Sequence, residues 1–260
     1  MSKYWAERVA KAQANLTAKN AKEIDKQLNK YYSQAAKKVI ADFEGVYEKI
    51  LLQQAAGKDI TPADLYKLDN YWKAQAQLRE ELNKLGNKQI AALTRAFETN
   101  FFEVYYSYKL DGSSAFNTID KEVVNKVISE IWCADGKSWS QRVWGNTELL
   151  AETLNEELIH CVTTGKPSSV LKQVLQDRFA VSFNNADMLA RTELAHIQTQ
   201  AAKKRYEDYG IQQVEILADE DERRCEICGK LHEKRFYIGE NIPIPAHPRC
   251  RCCIVPVVEN

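Results

Sequence analysis

Three observations on the 260-residue chain predict a mostly α fold with a small α+β domain at its C-terminal end. Apolar residues recur at steps of three or four through most of the first 210 positions, as they do in helices with one buried face. After Gly210 that period gives way to short β-like runs. Five of the seven cysteines fall between Cys225 and Cys253, two of them in a Cys-x-x-Cys pair, a clustering that metal binding explains better than packing does. The expected architecture is a long helical N-terminal hairpin or arm (residues 1–110), a helical middle (residues 111–210) and a small zinc-tied α+β segment (residues 211–260).

The charges balance, with 36 basic and 36 acidic residues, so no net field draws the chain toward nucleic acid. Their distribution is uneven: residues 1–38 carry nine Lys or Arg against three Asp or Glu, while residues 111–260 are net acidic. That basic start, with Tyr4, Tyr31 and Tyr32, could track a phosphate backbone, but a solvated lysine face on a long helix is the favoured account. No apolar run approaches ~18 residues, so no membrane-spanning helix is expected. An odd cysteine count without a hydrophobic leader fits a reducing compartment and a metal site rather than a disulfide framework.

The first helix is predicted over residues 3–56, with Ile24, Leu28, Tyr31, Ala35, Val39, Phe43, Val46 and Ile50 on one face and Gly57 as its stop. Thr61-Pro62-Ala63-Asp64 supplies a start signal: a capping hydroxyl, proline in the first turn and a carboxylate near the free amides. A second helical region follows on Leu65, Leu68, Trp72, Leu78, Leu82 and Leu85. A break or a kink is expected at Leu85-Gly86-Asn87 before the period resumes at Ile90, Leu93, Phe97, Phe101, Val104 and Tyr108. Two long helices joined by a short turn should pack antiparallel. A turn is expected at Asp111–Ser114, then a short helix over 119–132. Trp132, Trp139 and Trp144 fall within thirteen residues and read as buried anchors, with Arg142 as a hydrogen-bonding staple. Helices are predicted over 147–164, from Ser168 to near Phe179 and over 184–209, with Gly165-Lys166-Pro167 and Gly210 as breaks. The last two resemble a helix-turn-helix, although the basic Lys203-Lys204-Arg205 suits a helix C-terminus without DNA. Val214 and Ile216, Phe236 and Ile238, and Ile254, Val255 and Val257 mark three short strands.

The cysteine and histidine pairs sit at the ends of these strands. Cys225 and Cys228, two residues apart, can place both thiolates on one side of a tight turn. His247 with Cys250 repeats that spacing, and Cys252 is the nearest substitute for Cys250. Zinc takes such sulfur and imidazole ligands, and four protein ligands make a closed, structural site. The expected ligands of one zinc are therefore Cys225, Cys228, His247 and Cys250. Asp219-Glu220-Asp221-Glu222 reads either as an acidic support for the cluster or as a solvated loop. Catalytic zinc finds no support. The pair His232-Glu233 lacks the second histidine of a zinc-protease helix, since position 236 is Phe, and the order of the Cys and His residues is not that of a zinc deaminase.

Several runs together resemble a known family: Ala190-Arg191-Thr192-Glu193, Asp221 through Cys228, Ala246-His247-Pro248-Arg249-Cys250-Arg251-Cys252 and Val255-Pro256-Val257. They are similar to the tail of the Mu F-like head-morphogenesis proteins of tailed phages. The segment from Asp135-Gly136-Lys137 to Trp144-Gly145-Asn146 and the Tyr4-Trp5 start also resemble minor head proteins of phages and prophages of Gram-positive bacteria. The resemblance implies a virion protein without catalytic activity, assembled in the host cytoplasm, bound near the portal with other capsid proteins and touching the genome. Two departures stand out. The family follows its Cys-x-x-Cys with Leu-Asp-Gly, where this chain has Leu231-His232-Glu233, so a different turn is expected and His232 becomes a candidate extra ligand. Cys253 is also additional. Some relatives carry an appended toxin or transferase domain, which is not expected after Pro256. The competing readings are a nucleic-acid-binding zinc module and, further off, a zinc-dependent hydrolase.

Overall fold

The computed structural model describes residues 3–57, 60–107, 118–219, 221–222 and 224–258. The turn expected at Asp111–Ser114 lies outside the described residues. Among them are six helices followed, from residue 213 on, by a three-stranded sheet with a seventh, short helix between its first two strands in sequence. By packing, the chain divides into two compact units: residues 1–25, 92–139 and 188–260 form one, and residues 26–91 and 140–187 form the other.

Helix α1 (Lys3–Ala55) is continuous and ends where Gly57 turns left-handed at φ +84°. The predicted apolar face is buried, with one exchange: Tyr32 takes the core position and Tyr31 is only half-buried. Helix α2 (Pro62–Leu65) is a single turn. Thr61 caps it reciprocally with Asp64, the Asp64 N–H donating to the Thr61 hydroxyl at 3.3 Å and the Thr61 N–H to the Asp64 carboxylate at 3.1 Å. The start signal is therefore read correctly, but the chain restarts at Asp69 as helix α3 (Asp69–Ser107). Helix α3 is not broken at Gly86. A Cβ there would lie 2.6 Å from the Trp144 ring, so the glycine is present for close approach and not as a stop. Asn20 pairs with Asn100, and Lys38 with Glu81, in the descending order that an antiparallel α1–α3 hairpin requires.

Helix α4 (Lys121–Ser129) is capped by Asp120. Helix α5 (Trp139–Thr163) begins at Trp139 instead of residue 147, and the chain turns after it at Gly165, φ +60°. Helix α6 (Ser168–Asp208) is one helix where two were predicted, which removes the helix-turn-helix. Residues 180–184 hold no Gly or Pro, and Ser182 is buried. Its carbonyl accepts from Asn146 Nδ2 at 3.0 Å and its hydroxyl meets Tyr32 Oη at 3.3 Å, so the serine serves tertiary contacts and not a cap. Gly210 then ends the helix at φ +69°.

Strand β1 (Gln213–Leu217) is central in the sheet, antiparallel to β2 (Arg235–Tyr237) and β3 (Cys253–Val257), with Val214 opposite both Phe236 and Pro256. A six-residue helix, α7 (Glu226–Leu231), lies between β1 and β2. One buried residue ties this small sheet into its unit. Gln13 of α1 donates to the Ile254 carbonyl at 2.9 Å and to Tyr206 Oη at 3.1 Å, and accepts from Gln198 at 3.0 Å. Nearby, Asn20 donates to Asn100 at 3.0 Å, and Asn100 donates to the Leu194 carbonyl at 3.3 Å. Buried amides are costly unless paired, and these pair with one another.

Candidate metal centre

The first half of the centre is built by α7. Cys225 is its N-cap, in extended conformation, and its Sγ accepts the Cys228 N–H at 3.4 Å. That contact bends the two cysteines toward a common point and supplies an N–H to a sulfur that would carry charge. The second half repeats the device. Cys250 N–H donates to the His247 carbonyl at 3.1 Å, and Arg249 between them is left-handed at φ +58°. The Arg249 N–H donates to Thr192 Oγ1 at 3.0 Å, which fastens this loop to α6. His247 Nδ1 meets the Pro248 carbonyl at 2.8 Å, a contact that places the ring proton on Nδ1 and leaves Nε2 free as a ligand.

The two halves meet at Cys228. Its Sγ lies 3.1 Å from His247 Nε2 and 3.8 Å from Cys250 Sγ. Two sets of potential ligands share Cys228, the donor atoms of each lying within 4.8 Å of one another: Cys225, Cys228 and His247, and Cys228, Cys250 and Cys252. A tetrahedral ion with metal–sulfur arms of ~2.3 Å separates two sulfurs by about 3.8 Å, so the Cys228–Cys250 spacing fits one ion. This cysteine cluster can hold a metal ion.

Its electrostatics suit cation binding. The Cys252 thiol, hydrogen-bonded to Cys250, holds the Cys250 thiol down at about 5. Cys252 is pushed up by that same bond and by burial. Burial raises Cys228 to about 12, while the Cys228 N–H lowers Cys225. At His247 burial acts downward, but the Pro248 carbonyl and the neighbouring thiols outweigh it and the net shift is upward. Thiols forced together without a cation compete for protons, and a metal ion relieves that competition by replacing them.

Two carboxylates of the acidic run before Cys225, Asp219 and Asp221, are paired. Arg251, between Cys250 and Cys252, donates to Asp221 at 2.7 and 2.6 Å and lies 2.8 Å from Asp219. These carboxylates clamp the backbone that carries the second pair of thiols. His232 is not brought to the cluster. Its Nδ1 accepts the Ala218 N–H at 3.2 Å, and the ring lines an open groove of about 910 Å³ with Glu233, Arg251 and Ala10. Cys253 is buried apart from both ligand sets, its Sγ 3.8 Å from the Leu217 carbonyl. In the Leu231-His232-Glu233 turn, Glu233 is left-handed at φ +60°.

Residues singled out around the site find other partners. Glu193 accepts from the Trp132 indole at 2.9 Å, and Trp132 stacks on His196 with ring centroids 4.5 Å apart. Trp139 donates to the Ile128 carbonyl at 2.9 Å and packs edge-on against Phe97. Trp139 is thus a buried anchor, as expected, while Trp132 and Trp144 are only half-buried. Thr192, Gln13 and Asn146 were not singled out from sequence for the contacts they make. Thr192 sits inside a quoted run, but its role depends on a partner 57 residues away.

Residues 152–255 match the profile of the family described as Phage Mu protein F like protein. No curated protein and no solved structure matches the chain. The matched segment takes in the C-terminal part of α5, all of α6 and every candidate metal donor. Over residues 152–255, the part that builds the candidate metal centre, the chain is similar to the phage Mu protein F like family.

Proposed function

We propose that the chain is a minor head protein of a tailed phage or prophage, acting in head morphogenesis through contacts with the portal and other capsid proteins. The family match over residues 152–255 is the observation that supports this reading. Within that segment we propose one structural zinc per chain, held by Cys225, Cys228, His247 and Cys250. Four protein ligands leave no position for substrate, so the zinc acts on folding and not on a reaction. Quantitative mass spectrometry of purified virions, combined with cross-linking, tests the assignment. A few copies per head, cross-linked to portal, are expected. Absence from heads, or a copy number matching the capsid shell, overturns it.

Genome contact is a secondary role, favoured by one feature of α1. Lys22, Lys26, Lys30 and Lys37 are exposed at intervals of one to two turns, with no acidic partner among the described residues. Such a row can follow a phosphate backbone. Changing all four to Gln should lower the slope of log K against log salt by roughly three to four units in DNA binding. An unchanged slope removes this role and leaves the head assignment standing.

A further inference from the structure

The candidate centre holds one donor more than a four-coordinate ion takes. Cys225, Cys228 and His247 account for three positions, and two thiols compete for the fourth. Cys250 Sγ is 3.8 Å from Cys228 Sγ, and Cys252 Sγ is within 4.8 Å of both. Both competitors are buried, and they hydrogen-bond to each other. Cys253 gives the contrast of a thiol that only packs. It opens β3 and turns to the Leu217 carbonyl. Successive side chains of an extended chain point to opposite sides, so Cys252, one residue earlier, is aimed back into the donor cluster.

We propose that Cys250 and Cys252 are interchangeable fourth ligands of the metal, the unbound thiol donating its S–H to the bound thiolate. The proposal rests on the metal centre put forward above. The exchange balances without an oxidant. The bond from metal to Cys250 sulfur is replaced by one to Cys252 sulfur, and the Cys252 proton passes to Cys250, so the charge of the site is unchanged. Arg251, held by Asp219 and Asp221, fixes the backbone between the two thiols while their side chains trade places. A site of this kind keeps a full shell while one sulfur leaves, which slows complete loss of the ion.

The test uses the full chain and the variants Cys250→Ser, Cys252→Ser and the double variant. Zinc X-ray absorption counts the sulfurs around the ion, and cobalt substitution reports tetrahedral geometry. Wild type and both single variants are expected to show three sulfurs and one nitrogen. The double variant should lose one sulfur and bind the ion about ten- to hundredfold more weakly, or worse. If one single variant matches the double variant, or fails to fold while the other is normal, that cysteine is the sole fourth ligand and the exchange is refuted. If wild type binds no zinc or cobalt, the metal centre itself is refuted.

Discussion

Glu233 occupies a backbone conformation that suits glycine. At φ +60° a side chain costs on the order of 1 kcal/mol, because Cβ crowds the neighbouring carbonyl. The turn is held from elsewhere: the Glu233 N–H donates to the Ile216 carbonyl at 2.8 Å. Glu233→Gly should therefore stabilise the protein by about 0.5 to 1 kcal/mol, after allowing for the greater freedom of glycine in the unfolded chain. A lower unfolding midpoint in urea would show that the carboxylate matters more than the backbone. His196 presents the opposite case, a group whose environment resists charge. Burial holds its imidazole down at about 4, against 6.5 when exposed, although the Glu130 carboxylate lies 3.8 Å from Nε2 and favours the charged form. The folded state therefore disfavours protonation. The stabilising contribution is complete above the unfolded value, near pH 6.5, and is lost as pH falls toward about 4. About 3 kcal/mol goes with it. His196→Phe keeps a ring against Trp132 and removes the titration, so urea unfolding of the variant should show a shallower loss between pH 6.5 and pH 4.5. Parallel pH profiles for the two proteins would refute the assignment.

Glycines divide by what stands beside them. Gly86 lies inside α3 with the Trp144 ring in the space of a Cβ, whereas Gly45 lies inside α1 with nothing within 4 Å. Gly45→Ala should stabilise by about 0.5 to 1 kcal/mol, the ordinary helix preference. Gly86→Ala gains the same preference but must displace an indole, so it should destabilise by about 1 to 3 kcal/mol. Thermal unfolding of the two variants checks the contrast, and matching shifts would mean that Trp144 yields without cost. The same pair shows what was legible. A glycine in a helical pattern reads as a break, because the residue that fills the missing Cβ space is 58 positions away and leaves no local trace. The break predicted between Phe179 and residue 184 fails for the same reason, because Ser182 in that gap is held by remote partners, Tyr32 and Asn146. By contrast Thr61, Gly57 and Gly210 act on their own neighbours and could be read directly. The two tight turns of the candidate metal site are local in the same way, since Cys225 with Cys228 and His247 with Cys250 are each closed by a contact from a backbone N–H within three residues. Which fourth thiol completes them depends on how the two knuckles meet, and that is set by the sheet.

The C-terminal sheet is too small to stand alone: its strands are five, three and five residues long, and three strands of this length bury little. Two supports remain, and they differ in kind. One is the proposed metal, since structural zinc is worth on the order of 10 kcal/mol to a small domain. The other is Gln13, whose bonds to Ile254, Tyr206 and Gln198 reach the sheet from the first turns of α1. If the metal is the larger support, chelation at neutral pH should release residues 211–258, and α1 should lose the partner that its Gln13 side chain needs. Hydrogen exchange is then expected to rise in two places far apart in sequence, the C-terminal segment and residues near Gln13. The unit of residues 26–91 and 140–187 has a core of its own, with Tyr71 bonded to Asn155 at 2.8 Å and Tyr47 to the Cys161 carbonyl at 2.9 Å, and should keep its protection. Gln13→Ala offers the complementary experiment, because it leaves the Ile254 carbonyl only its bond from Tyr206 while sparing every metal donor. It should lower stability by about 1 to 3 kcal/mol with zinc bound and leave zinc stoichiometry unchanged. Should chelation leave exchange in residues 211–258 untouched, the sheet is held by the Gln13 network and the surrounding helices, and the cysteine cluster contributes packing alone.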